Sequence, residues 1–172
     1  SILVPEGHEF TVEAGRPDSV NPTKLRSMLD LGVNRISINP QTMQDDILRR
    51  IGRGHSARDI DELLQYVKHN TSLAVNMDFI AGLPNQTMQN MIENMDYVCQ
   101  NLPENVTIHT LALKRGSPLY DLNMQDDIPE EHLVADMIQY GKERLEAAGY
   151  VPYYLYRQQY MRGQLENIGY TL

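Results

Sequence analysis

The sequence is poor in the features that mark secreted, membrane-spanning and nucleic-acid-binding proteins. It has one cysteine in 172 residues, so an internal disulfide is impossible, which is typical of a cytosolic protein. No apolar run approaches the roughly 20 residues that cross a bilayer, and we expect no signal peptide. Lys and Arg number 15 against 23 Asp and Glu, a net charge of −8. This acidic balance argues against nucleic acids and anionic membrane surfaces as partners, and we expect a cytoplasmic protein.

The sequence motifs of several common active sites are also missing. No Gly-x-Gly-x-x-Gly fingerprint and no Walker sequence follows an apolar segment, which argues against dinucleotide and P-loop sites. The five histidines do not have metal-ligand spacing, and there is no serine nucleophile elbow. His109 stands alone in an apolar segment, which favours a histidine satisfied in the core over a ligand.

Strand-like and helix-like segments alternate along the chain. Strand patterns cover residues 10–14, 34–40, 73–80, 106–113 and 150–156, and helices are predicted to begin near residues 22, 45, 57, 87 and 129. Such alternation is typical of βα units with parallel strands and right-handed crossovers. It predicts a single α/β domain, either part of a (βα) barrel or an open α/β sheet.

The segment at residues 75–84 is an apolar run that contains one acidic residue, Asp78. Gly82 and Pro84 end it, as expected for a strand buried on both faces that leads into a turn. An ionised carboxylate in such a strand is costly unless something pairs with it. Asp78 therefore either contacts a ligand or ties down the turn at Gly82, and the pattern leaves both alternatives open.

Polar residues follow several of the predicted strands, where the active sites of parallel α/β folds lie. Glu13 ends the first strand, Gln41 follows the second, and Asp78 lies in the third. Arg53 follows a short helix and can fold back towards the same rim. These side chains predict one pocket for a ligand that carries hydroxyls, an ammonium group and a carboxylate. They do not form a complete catalytic set.

Five segments of the sequence resemble the oxygen-independent coproporphyrinogen III oxidases. RISINPQTM at residues 35–43, IGRGH at 51–55 and NMDFIAGLP at 76–84 are similar to that family, and the resemblance extends from residue 9 to residue 170. YYLYRQQYM at 153–161 and ENIGY at 166–170 are similar to its coproporphyrinogen dehydrogenase branch. The family consists of radical S-adenosylmethionine enzymes.

The resemblance implies a partial (βα)6 barrel and two cofactors, S-adenosyl-L-methionine and a [4Fe–4S] cluster. The family holds the cluster with a Cys-x-x-x-Cys-x-x-Cys motif that this sequence lacks. The chain is therefore expected to begin after the second βα unit and to be inactive alone. Residues 1–149 would be the C-terminal βα units of the barrel, and residues 150–172 a tyrosine-rich extension of the same domain.

The resemblance also assigns roles to individual residues. Glu13, Gln41, Arg53, Asp78 and Ala112 match family positions that contact S-adenosylmethionine. The implied reaction is anaerobic oxidative decarboxylation of coproporphyrinogen III, a tetrapyrrole, in haem biosynthesis, and it points to no particular electron donor. We expect the tail to form part of the tetrapyrrole side, and the alternative is an aromatic edge strand packed on the barrel. The residues concerned are Tyr154, Tyr156 and Arg157.

Two other functions compete with this interpretation. Relatives of the family bind haem and pass it on, so a haem carrier is the alternative. A generic barrel enzyme that uses Glu13 and Asp78 as acid and base is the third hypothesis. An open half-barrel would also leave the edge of its first strand unpaired, which predicts a dimer or another contact that covers that edge.

Overall fold

The computed structural model describes residues 9–14, 20–111, 127–157 and 166–172, with the backbone alone described at 154–157 and 166. Strands and helices alternate along the described chain, except that two helices lie between β2 and β3 and that β6 is the next described element after β5. The elements are β1 (Thr11–Ala14), α1 (Pro22–Asp30), β2 (Arg35–Gln41), α2 (Asp45–Arg50), α3 (Ala57–Asn70), β3 (Ala74–Ala81), α4 (Met88–Asn101), β4 (Asn105–Thr110), α5 (Glu131–Ala147), β5 (Val151–Arg157) and β6 (Glu166–Thr171).

The first four strands form a parallel sheet in chain order. Side chains along these strands alternate between fully buried and half-buried, because successive residues of a strand point to opposite faces. The buried side chains form one hydrophobic core with the apolar faces of α1, α3, α4 and α5. Strands in chain order with their helices on one face build a partial barrel, and the predicted α/β fold is confirmed.

The end of the sheet differs from the predicted pattern. β6 lies antiparallel between β4 and β5, so the strand order is β1-β2-β3-β4-β6-β5. The predicted parallel pairing holds from β1 to β4, whereas β5 pairs antiparallel with β6. Residues 166–171 were not predicted as a strand, because Asn167 and Gly169 weaken the strand pattern of this short segment.

The helix starts follow from the local sequence. Asn21 caps α1 and accepts a hydrogen bond from the Lys24 backbone N–H. Ser56 and Asp59 cap each other's backbone at the start of α3. The first turns of α1 and α3 therefore have backbone N–H groups paired with capping side chains, which fixes where these helices begin.

A buried glutamine fixes the turn that follows β3. The Gln86 Oε1 accepts hydrogen bonds from the backbone N–H groups of Gly82 and Leu83, at 2.8 and 3.1 Å, and its Nε2 donates to the Ile80 carbonyl at 3.0 Å. Gly82 has a φ of +92°, in the region that favours glycine. Gln86 therefore ties down the turn, a role that the sequence analysis left open for Asp78.

Two tyrosines are buried in the core, one with a hydrogen-bond partner for its hydroxyl and one without such a partner among the described residues. The Tyr150 hydroxyl donates to the Pro103 carbonyl at 2.6 Å. The Tyr170 hydroxyl is buried and has no hydrogen-bond partner among the residues that the model describes, and burial raises its pKa to about 12. A buried hydroxyl without a partner loses its hydration and gains nothing in return.

Two predictions from the sequence concern the edge of the sheet and membrane-spanning segments. In the described ranges, β1 pairs with β2 alone, so its other edge is open, and a dimer through this edge stays a prediction. None of the described helices is both long enough and apolar enough to cross a membrane.

We expect Tyr170→Phe and Tyr150→Phe to have different effects on the free energy of unfolding at neutral pH. Tyr170→Phe removes a buried hydroxyl without a partner and should leave stability unchanged or raise it by about 1 kcal/mol. Tyr150→Phe breaks a hydrogen bond and leaves a carbonyl unpaired, so it should lower stability by about 1–2 kcal/mol. Denaturant unfolding of both variants measures the difference, and equal losses would contradict the assignment.

We also expect Gln86→Ala to destabilise the protein by about 3 kcal/mol, because three backbone groups lose their partner in a buried turn. The matched control is Gln89→Ala, since Gln89 is exposed and donates to Glu93 on the helix surface. Urea denaturation should give a change within about 0.5 kcal/mol for the control. Similar values for the two variants would show that Gln86 does not hold the turn.

Candidate functional site

The face of the sheet opposite the helices is polar, and we call it the polar face. Residues that are paired in neighbouring strands form rows across this face. In one row Glu13 lies beside Ser37, Ser37 beside Asn76, and Asn76 beside Asn105. One row further along, Asp78 lies beside Thr107. The polar face consists of Glu13, Arg35, Ser37, Asn39, Asn76, Asp78, Asn105, Thr107 and His109.

An arginine network closes the N-terminal end of the polar face. Arg35 lies beside Ala74, whose small side chain leaves room for the guanidinium to reach the next strands. The Arg35 Nη1 donates to the side-chain oxygens of Asn76, at 2.7 Å, and of Asn105. The Arg35 Nε lies 3.3 Å from a carboxylate oxygen of Glu9. The two asparagine oxygens pair with the guanidinium, whereas the Arg35 Nε has the Glu9 carboxylate nearby but no hydrogen bond among the described residues. This network is therefore structural.

Asp78 and His109 lie together further towards the C-terminal ends of the strands. The Nε2 of His109 is 3.6 Å from the Oδ2 of Asp78, and the two side chains are 36% and 28% exposed. This separation fits an ion pair when the imidazole is protonated. The prediction that His109 is a satisfied core histidine is wrong, because it faces a carboxylate on the polar face.

The end of β2 is strained and is held by a helix. Gln41 has a φ of +71°, which is rare for a residue other than glycine, and the strand register shifts between Ile38 and Gln41. The Asn94 side chain on α4 accepts from the Met43 backbone N–H at 2.9 Å and donates to the Thr42 hydroxyl at 3.1 Å. Such strain persists only where the surroundings enforce it, and it is most frequent at functional sites.

Asn39 carries a buried acceptor that is not satisfied. Its Oδ1 has no solvent exposure and no hydrogen-bond partner within the described ranges. Buried acceptors are nearly always paired, and Asn39 lies on the polar face one residue beyond Ile38, which is opposite Met77. A ligand would reach this oxygen only after a neighbouring group moves, because solvent does not reach it. The sequence places Asn39 at the end of the second predicted strand, but it does not reveal that the acceptor is buried and unpaired.

Glu13, Gln41 and Asp78 lie on neighbouring strands, and Arg53 follows α2. Glu13 and Asp78 share the polar face, and their backbones are about 12 Å apart from strand spacing and rise. Arg53 lines a groove of about 280 Å³ with charged residues of α2 and α3. Its membership of a pocket with the other three stays a prediction. A groove of about 320 Å³ between α1 and α3 lies away from the polar face.

Several residues predicted from the resemblance lie outside what the model describes. Ala112 follows the described part of β4. Tyr154, Tyr156 and Arg157 lie on β5, where the backbone alone is described. Their roles stay predictions.

The polar face has the chemistry for a ligand such as S-adenosylmethionine, but the chain does not have the chemistry for an iron–sulfur cluster. Carboxylate and amide oxygens of Glu13, Asn39 and Asp78 accept hydrogen bonds from hydroxyl and ammonium groups. A [4Fe–4S] cluster needs several cysteine thiolates. The single cysteine, Cys99, packs on α4 against α5, and burial raises the pKa of its thiol. Any cluster ligands must come from outside this chain.

Comparisons with curated proteins find relatives of two kinds. The oxygen-independent coproporphyrinogen-III oxidase-like protein HemZ of Bacillus subtilis (strain 168) is 36% identical over 164 residues, which cover 95% of this chain and 33% of that protein. The heme chaperone HemW of the same organism is 28% identical over 143 residues, which cover 82% of this chain and 38% of that protein. The chain spans about a third of the length of the curated relatives it matches.

Solved structures show the same fold at low sequence identity. The radical SAM enzyme HemN of Escherichia coli, a coproporphyrinogen III oxidase, matches with a TM-score of 0.73 at 20% identity, covering 93% of this chain and 35% of that chain. The archaeal Elp3 of Methanocaldococcus infernus matches with a TM-score of 0.69 at 24% identity, covering 78% of this chain and 32% of that chain.

A family model covers more than half of the sequence. The model of the Radical SAM superfamily matches residues 3–98, a range that includes β1 to β3 and therefore Glu13, Gln41 and Asp78. Members of that superfamily bind S-adenosyl-L-methionine and a [4Fe–4S] cluster. The chain, with its parallel strands, single helical layer and polar face, belongs to the radical SAM superfamily.

Proposed function

We propose that this chain forms the S-adenosylmethionine-binding part of an enzyme that converts coproporphyrinogen III to protoporphyrinogen IX without oxygen. The observation that carries the proposal is the 36% identity to the coproporphyrinogen-III oxidase-like protein of Bacillus subtilis over 95% of this chain. In the reaction, each of two propionates would lose a hydrogen atom to a radical, carbon dioxide, and one electron to an electron acceptor outside this chain, and would become a vinyl group. When bound, S-adenosylmethionine and a reduced cluster supply the radical that takes the hydrogen atom.

The residues of the polar face would bind and orient the cofactor. Asp78 and Glu13 would accept hydrogen bonds from ribose hydroxyls or the ammonium group. Gln41, held in its strained conformation, would present its side-chain amide at the end of β2. Arg53 would pair with the carboxylate of the methionyl part as a fork, and Ala112 would contribute a backbone contact. Tyr154, Tyr156 and Arg157 would contact the tetrapyrrole.

The position of Asp78 supports its proposed role. It lies closer to the C-terminal ends of the strands than the Arg35 network does. His109 is its only ionisable partner among the described residues. Gln86 rather than Asp78 holds the adjacent turn. The carboxylate therefore has no structural duty at the turn, and a ligand explains its presence in an otherwise apolar strand.

A haem carrier is the second candidate function. The similarity to the heme chaperone HemW, 28% over 82% of this chain, favours it. A carrier needs a tetrapyrrole site but does not decarboxylate propionates. The two functions therefore differ in product rather than in ligand.

Anaerobic assay of the whole protein that carries this chain separates the two functions. We expect the reduced protein, given S-adenosylmethionine and coproporphyrinogen III, to release 5′-deoxyadenosine and a product with two vinyl groups. Chromatography and mass spectrometry measure both. Haem binding without any vinyl product would favour the carrier and contradict the proposed enzyme.

We expect Asp78→Asn to weaken S-adenosylmethionine binding about tenfold, because a hydrogen bond to a charged acceptor contributes roughly 1.5–3 kcal/mol. The substitution keeps the shape of the side chain and removes its charge. Asp136→Asn is the control, since Asp136 is exposed on the outer helix α5. Anaerobic equilibrium dialysis gives both affinities. Wild-type affinity in Asp78→Asn would remove Asp78 from the cofactor site.

A further inference from the structure

A β-bulge in β5 places two tyrosines opposite one glycine. Pro152 pairs with Tyr170, and Tyr154 pairs with Gly169, so Tyr153 is an extra residue in β5. The two bulged residues of a strand face the same residue of the partner strand. Tyr153 and Tyr154 therefore both lie opposite Gly169. Bulges of this kind often re-aim a side chain beside an active site.

The phenol ring of Tyr153 occupies the space that a side chain at Gly169 would fill. A Cβ placed on Gly169 would lie 3.0 Å from the Cε1 and Cζ atoms of Tyr153 and 3.2 Å from its hydroxyl. Gly169 itself is buried. The outer end of the ring therefore lies close against the Gly169 backbone, and a methyl group there would force the ring to move by a few tenths of an ångström. Tyr153 is nevertheless 58% exposed, so the rest of the ring is open.

The strand register places this ring on the ligand side of the sheet. Gly169 of β6 lies opposite Thr107 of β4, and Thr107 lies beside Asp78 of β3. Residues in register share a face of the sheet, so the missing Cβ of Gly169, and the ring in its place, lie on the polar face. From strand spacing, the Gly169 backbone is about 10 Å from that of Asp78. One row of the polar face thus has the Asp78 carboxylate at one end and the Tyr153 ring at the other.

We propose that Tyr153, held against Gly169, is a platform on which one pyrrole ring of the tetrapyrrole stacks. Aromatic rings pack against one another in offset or edge-to-face arrangements, and Thr107 of the neighbouring strand provides an acceptor for a pyrrole N–H group. The site rests on the proposed function, because it takes the tetrapyrrole as its ligand. It adds a binding residue that the resemblance did not assign.

Binding of coproporphyrin III to the whole protein that carries this chain tests the platform. Coproporphyrin III is the planar, fluorescent, oxidised form of the proposed substrate, so its dissociation constant follows from a fluorescence titration. We expect Tyr153→Leu to raise the constant about tenfold and Tyr153→Phe to change it less than twofold, because phenylalanine keeps the ring. Tyr66→Leu is the control, since Tyr66 is a partly exposed tyrosine on the outer helix α3, and it should bind as the wild type does.

A second variant tests whether Gly169 sets the position of the ring. Gly169→Ala adds the Cβ that the ring excludes, so it should weaken coproporphyrin III binding about as much as Tyr153→Leu. Adding Gly169→Ala to Tyr153→Leu should then cost no more than twofold further, because the ring is already absent. Affinity for S-adenosylmethionine should stay at the wild-type value in all variants.

The outcomes distinguish this site from the proposed function. If wild-type protein binds coproporphyrin III and Tyr153→Leu binds it equally well, the platform is wrong and the proposed function stands. A wild-type protein that does not bind coproporphyrin III contradicts the platform, whereas the proposed function is decided by whether the protein converts coproporphyrinogen III in the anaerobic assay. A lower melting temperature in Tyr153→Leu with unchanged affinity would show that the ring only covers the Gly169 backbone.

Discussion

The alternation of side chains along β1 to β4 is the constraint on which the rest of the structure depends. Every second residue of β2 and β3 is buried under the helices, and the residues between them lie on the polar face. The period of a strand is two residues, so a slip of one residue would expose the apolar set and bury the polar one. The core and the candidate site are therefore fixed by the same register.

The polar face has two parts with different hydrogen-bond status. Near the N-terminal ends of the strands, the Arg35 Nη1 pairs with Asn76 and Asn105. Towards the C-terminal ends, the buried Asn39 oxygen has no partner in the described ranges, and the part-exposed Asp78 carboxylate has His109 at 3.6 Å. The Asp78 carboxylate is therefore the acceptor in this part that a ligand with several donors can reach.

Sequence patterns predicted the parts of the fold that depend on local chemistry. The helix starts at Asn21 and Ser56 carry capping residues whose mechanism is readable from the sequence. The strand period and the apolar helix faces together predicted five strands, of which β1 to β4 pair in parallel. β6 was not predicted, because its pairing with β4 and β5 is a long-range choice that its six residues do not encode.

The sequence predicted the chemical character and the place of the candidate site better than it predicted which residues belong to it. Glu13, Gln41 and Asp78 were singled out because they are polar residues at the ends of predicted strands. Asn39 and Gln86 were missed, since neither the missing partner of one nor the three turn contacts of the other can be read from a sequence. The contact between Tyr153 and Gly169 likewise depends on a bulge and on the order of strands.

Two parts of the polar face would then serve one reaction. Acceptors on β3 would bind the cofactor, and an aromatic ring on β5 would bind the macrocycle. Hydrogen–deuterium exchange of the whole protein, with and without S-adenosylmethionine, tests the central claim most directly. We predict slower exchange on cofactor addition in peptides that cover residues 37–44 and 76–84, and no change in the outer helices α3 and α5. Protection confined to the helical layer, with those two segments unchanged, would contradict the account.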